Sequence, residues 1–140
     1  MTTTDLKPAA SFIRFDAAGQ PFLEGHRCQR CGEVSLTARR ACPKCTAIDS
    51  LKPEKLGTHG RLYNYTIVHR SYPGVPVPFV SAIVDLEGGG TLMGNLLDVA
   101  PDPAAIPFDM PVSVVFRDAG RTDKAGNRYL AYFFVPGDSR

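Results

Sequence analysis

All four cysteines of this 140-residue chain fall in two Cys-x-x-Cys pairs, Cys28-Gln-Arg-Cys31 and Cys42-Pro-Lys-Cys45, with ten residues between them. Each short loop can aim two sulfurs at one point, and two such loops close a four-thiolate shell of the kind that holds structural zinc. One shared metal site explains this spacing better than two disulfides do. A closed shell leaves no position for water or substrate, so the motif predicts a folding element, a zinc ribbon, and argues against metal catalysis.

Composition divides the chain in two. The first fifty or so residues hold every cysteine and no long apolar run, whereas the rest is rich in Val, Leu, Phe and Tyr punctuated by Gly and Pro. The expected division is an N-terminal segment with the ribbon over residues 1–52 and a second module over residues 53–140. No segment approaches the roughly 20 apolar residues of a transmembrane helix. Met1-Thr-Thr-Thr-Asp5-Leu-Lys-Pro8 lacks a basic stretch followed by an apolar run and does not read as a signal peptide. No membrane association is expected, and a cytoplasmic location suits thiolates kept reduced for metal. The net charge of +2 gives no overall field toward nucleic acid or an anionic surface. The positive charge is local: Arg27, Arg30, Arg39, Arg40 and Lys44 surround the cysteines, with Glu33 the only acid inside that loop. Four thiolates on a divalent ion carry about −2, which neighbouring cations stabilise. A basic patch facing a partner or a phosphate is the competing explanation.

Before the cysteines, Phe12 to Phe15 and Phe22-Leu23 flank a turn signal at Asp16 to Pro21, consistent with a hairpin or with a short helix and strand. Pro21 to Arg27 reads as extended, and Gly32 supplies the positive φ that a knuckle turn often needs. Pro53, Gly57 and Gly60 read as a connector. Five strand candidates follow, at Arg61–Arg70, Phe79–Leu86, Thr91–Leu97, Met110–Asp118 and Tyr129–Val135. In the second, Val80, Ala82, Val84 and Leu86 share one face; in the fourth, Val112, Val114 and Phe116 oppose Ser113 and Arg117. Gly88-Gly-Gly90 marks a tight hairpin, and Asp118 to Arg128 a longer loop. Asp98 to Asp109, with three prolines, has room for no more than one short helical turn. The fold class is therefore all-β: a four-cysteine ribbon followed by a five-stranded barrel of the OB type, with an SH3-like barrel as the competitor.

A ribbon joined directly to such a barrel resembles a family of small zinc-ribbon/OB-fold proteins that accompany thiolase-like and hydratase-like enzymes of acyl-CoA metabolism. The resemblance is carried by Arg39-Arg-Ala-Cys-Pro-Lys-Cys45, Gly60 to Arg70, Pro78 to Gly88, Leu92-Met-Gly-Asn-Leu96, Met110 to Phe116 and Phe133-Phe-Val-Pro136. The chain departs from it in having Thr37-Ala38 where prolines are common, in lacking the tryptophan frequent at the ribbon-to-barrel junction, and in its short amino-terminal stretch. The resemblance implies a non-catalytic accessory subunit that docks on a thiolase-like or hydratase-like partner and helps bind or channel acyl-CoA. The phosphates of CoA need cationic or backbone N–H partners. Candidates for acyl-CoA or the partner are Arg61, Arg70, Tyr72, Arg117 and Arg128, with Arg121 and Lys124 as further cations. Each arginine has an ordinary solvated surface charge as its plainer reading. Tyr63, Tyr65 and Tyr72 have core or barrel-edge packing as theirs.

The proline-rich segment Ser71 to Pro78 is either a stiff connector or a presenter of Tyr72, Val75 and Val77 to a partner. A single-stranded nucleic-acid-binding module is the alternative function, disfavoured by the near-zero net charge and the lack of a basic strand face. His26, His59 and His69 form no acid–base motif with Asp85 or Asp98, and no free thiol remains as a nucleophile. Rubredoxin-type iron is the lesser alternative to zinc.

Overall fold

A computed structural model describes residues 6–137 of the chain; the reading of Met1 to Asp5 lies outside them. The described residues are strands and turns, with ten strands and a single-turn 3-10 helix at Pro103–Ala105. None of them forms a helix long and apolar enough to cross a membrane. The fold is all-β, and the contacts divide it into two compact units.

The first unit comprises residues to Gly57, the Gly88–Gly90 turn and residues Phe116–Ala131. Its strands are β1 (Lys7–Pro8), β2 (Ile13–Phe15), β3 (Pro21–Cys28), β4 (Val34–Ser35) and β5 (Leu51–Lys55). The Phe12/Phe22 region is a hairpin, without a helix: Ile13 pairs with Leu23, and the Asp16 carboxylate accepts from the N–H groups of Ala18 and Gln20 to close the turn. Strand β3 is central, pairing antiparallel with β2 at its start, β4 near its end, and β5 along Glu24–Cys28. The expected connector at Pro53 is thus corrected. Leu51–Lys55 is a strand at the border of its sheet, where a residue without an N–H is tolerated. Leu6, Ile13, Leu23, Leu56 and Leu130 are buried in this unit.

The second unit holds the barrel. Its strands are β6 (His59–Val68), β7 (Phe79–Leu86), β8 (Thr91–Leu96), the first part of β9 (Pro111–Thr122) and the last part of β10 (Arg128–Pro136). They run in the order β10-β8-β7-β6-β9, with β9 also pairing β10 to close the barrel. All five expected strands are present. The β8–β10 contact is parallel and the β6–β7, β7–β8 and β6–β9 contacts are antiparallel. Alternation along β7 works as expected, with Val80, Ala82, Val84 and Leu86 all buried. Strand β9 departs from it. Ser113, expected outward, is only 3% exposed, because its hydroxyl donates to the Gly137 carbonyl at 2.9 Å and meets His59 Nδ1 at 3.3 Å. The loop expected from Asp118 to Arg128 is shorter, since β9 runs to Thr122.

Candidate functional site

Two near-identical knuckles build the cysteine cluster. In each, the first cysteine's carbonyl accepts from the N–H four residues on (Gly32 to Cys28 and Thr46 to Cys42, both 2.9 Å), and that fourth residue takes a positive φ, +83° at Gly32 and +65° at Thr46. Glycine reaches this conformation freely; a threonine there marks a turn fixed by its surroundings. The first cysteine's sulfur also accepts from two peptide N–H groups in each knuckle: Arg30 and Cys31 at 3.4 and 3.5 Å from Cys28, Lys44 and Cys45 at 3.4 and 3.5 Å from Cys42.

The four sulfurs lie within 4.8 Å of one another, with Cys28–Cys45 at 3.7 Å and Cys31–Cys42 at 3.6 Å. A tetrahedral ion with metal–sulfur bonds of about 2.3 Å has sulfur–sulfur edges of ~3.8 Å, so the arrangement could hold a metal ion. Cys28 and Cys42 are buried, Cys45 is half-buried and Cys31 is exposed. The Ser50 hydroxyl, 3.2 Å from Cys28, together with the Cys31 and Arg30 N–H groups, holds the Cys28 thiol down at about 6. The N–H groups of Cys45 and Lys44 lower Cys42. At Cys31 the Glu33 N–H also favours the thiolate, but desolvation and the crowding of Cys42, Cys45 and Cys28 outweigh it and push the thiol up to about 12. The cluster thus resists full ionisation unless a cation neutralises it, which is the electrostatic demand of a thiolate metal site.

Among the cations expected around this cluster, Arg30, Arg39, Arg40 and Lys44 are exposed, but Arg27 is corrected. Its guanidinium grips Glu54 of β5 through Nε at 3.0 Å and Nη2 at 2.9 Å, donates to the Gly32 carbonyl at 3.0 Å, and donates to the Gly88 carbonyl. This pairing raises Arg27 and lowers Glu54 from their ordinary values. Gly88–Gly90, expected only as a tight hairpin, also packs here. A Cβ on Gly89 would stand 2.8 Å from Val34 Cγ2, and its φ is +119°. Sequence reading missed Ser50, Glu54 and this use of Gly89. Thr46 was within reach, since it occupies the position in the second knuckle that Gly32 occupies in the first.

The ligand and partner candidates are dispersed over both units. Arg61, Arg70 and Tyr72 are exposed in the second; Arg61 Nη1 donates to the Asp109 carbonyl at 3.1 Å. Arg117 and Arg128 are exposed in the first, where Arg128 pairs with Asp118. The tyrosines correct the packing expectation: Tyr63 is 65% and Tyr72 84% exposed, while Tyr65 is half-buried against Phe108 with ring centroids 5.4 Å apart.

Residues 54–117 match the family described as ChsH2, C-terminal OB-fold domain. A DUF35 domain-containing scaffold protein of Methanocaldococcus jannaschii is 34% identical over 116 residues, covering 81% of each chain. The chain belongs to the DUF35 family. A probable enoyl-CoA hydratase alpha subunit of Thermomonospora curvata is 35% identical over 75% of this chain but only 32% of that longer one. Among solved structures, a chain of the Ltp2-ChsH2(DUF35) aldolase superposes with a TM-score of 0.66 and 28% identity, covering 93% of this chain and 98% of that one.

Proposed function

We propose that this DUF35 chain is a non-catalytic accessory subunit that docks on a thiolase-like or hydratase-like enzyme and helps bind or channel acyl-CoA in the cytoplasm. The observation that carries the reading is the near end-to-end likeness to a chain of the Ltp2-ChsH2(DUF35) aldolase. Names of other relatives, a hydratase alpha subunit and a benzoylsuccinyl-CoA thiolase subunit of Geobacter metallireducens, are consistent with it. In this reading Cys28, Cys31, Cys42 and Cys45 hold a structural zinc ion that clasps the ribbon of residues 1–52, while residues 53–140 form the barrel module. Arg61, Arg70, Tyr72, Arg117 and Arg128 are the cations and aromatic offered to partner or acyl-CoA. A four-thiolate shell has no open coordination position, which supports a structural role for the metal.

The test is purification of the tagged chain from its native host. A thiolase-like or hydratase-like subunit should elute with it, and acyl-CoA turnover should need both chains. Turnover of acyl-CoA by the isolated chain would refute the accessory role. For the metal, colourless protein with one zinc per chain is expected; visible thiolate-to-iron absorbance would replace zinc by iron.

A further inference from the structure

Strand β6 changes sides at a bulge. Leu62 pairs with Val84 and Asn64 with Ile83, so Tyr63 is an extra residue opposite β7. Before the bulge, Leu62 turns its peptide groups away from β7, donating to the Met110 carbonyl at 2.9 Å and accepting from the Asp109 N–H at 2.9 Å. Beyond it the parity shifts, and Tyr65 and Ile67 face the side opposite β7. Strand β9 does not follow: its pairing with β6 covers only His59–Arg61. The Tyr65 N–H is met at 2.9 Å by the side chain of its own neighbour Asn64, and among the described residues no strand lies there to take it.

Such an edge is normally blunted by charged side chains, proline or a bulge within it. Beyond the bulge, Tyr65 to Val68 include no charged side chain and no proline. Instead Tyr63 and Phe108 are 65% and 66% exposed, Phe108 lies against Tyr65, and Ile67 and Val68 are half-buried. Charge gives the edge a direction. Arg61, before the bulge, donates to the Asp109 backbone carbonyl, whereas His69 and Arg70 at the far end are exposed and have no acidic neighbour in sequence from His59 to Pro78.

We propose that the open edge of β6 from Tyr65 to Val68, with the adjoining His69, takes an extended segment of the enzyme partner as an added strand. That segment has apolar residues at its centre and an acidic residue at the end nearest Arg70. Backbone hydrogen bonds supply affinity, the apolar residues cover Tyr65 and Phe108, and the acid sets direction. A segment of about five residues spans the ~15 Å required. The inference rests on the accessory-subunit reading above.

Amide hydrogen exchange of the chain, alone and with the enzyme subunit that elutes with it, tests the proposal. Protection of the Ile67 and His69 amides in the complex is expected. Ile67→Pro removes one edge donor and should weaken the complex at least about tenfold. Arg70→Glu and Phe108→Ser, both at exposed positions, should each weaken it by roughly 3–30-fold with amide exchange in the free chain unchanged outside the Tyr65–Phe108 contact, and Arg70→Glu should reduce its salt sensitivity. A complex that forms with these amides unprotected and with Arg70→Glu and Phe108→Ser binding as tightly as the parent overturns the edge while sparing the accessory role. Failure of any enzyme subunit to elute overturns both. Protection that arises in the chain alone and disappears on dilution identifies a second copy as the occupant, and also overturns the proposal.

Discussion

Ser50 shows how much of the proposed metal site lies outside its four cysteines. It is 22 residues from Cys28 in sequence, and its hydroxyl is the first of the groups that favour the Cys28 thiolate. Ser50→Ala should lower metal affinity by about tenfold, the usual effect of removing a hydrogen-bond partner from a ligand, as measured by competition with a chelator. Cysteine spacing made the four-sulfur cluster legible in the sequence, because two residues between thiols fix where both sulfurs point. Nothing local marks Ser50, whose role depends on β5 returning beside β3. Asp123 is a second such case. It accepts from the Asn127 side chain and N–H, the Tyr129 hydroxyl and the Ala125 N–H, which hold its carboxyl down at about 2. A carboxyl whose folded value is depressed stabilises the fold above its unfolded value of about 4 and loses that contribution as pH falls toward 2. In denaturant titrations between pH 5 and 2, Asp123→Asn should therefore lose less stability on acidification than the parent. Equal slopes would show that the network contributes nothing to the acid response.

Elements were legible wherever side chains alternate. The barrel strands announce themselves by period two, and the Asp98 to Asp109 connection holds only the single turn that its prolines allow. Strand β5, Leu-Lys-Pro-Glu-Lys, escaped because it is a polar border strand and its proline imitates a linker. Ser113 misled for a different reason: a hydroxyl satisfied by Gly137 and His59 can sit on the inner face, and pattern alone prices it as exposed. Gly60 carries the firmest prediction for an element. A Cβ there would stand 2.5 Å from the Asp85 carbonyl oxygen, part of the paired backbone of β7. Gly60→Ala should cost about 1–3 kcal/mol in chemical denaturation, while Gly126→Ala, with open space around its Cβ, should show only the smaller strain of a positive φ.

For the whole molecule, the two compact units predict two responses to loss of the proposed metal ion. Cys28 and Cys42 belong to the buried interior of the first unit, and without the ion their repelling sulfurs have nothing to neutralise them. Chelation should abolish slow amide exchange in β3 and β5 while Val80, Val84 and Leu92 in the second unit remain protected; uniform loss of protection would show that the units melt together. The functional reading likewise depends on the whole chain, because a four-cysteine ribbon and a five-stranded barrel each serve many roles singly. The Gly88–Gly90 turn adds a practical consequence. A triglycine between two strands resembles a spacer that tolerates insertions, yet its carbonyl at Gly88 is held by Arg27 and its middle residue is pressed on Val34. Natural length variation, affinity tags and fluorescent labels should therefore be rejected there.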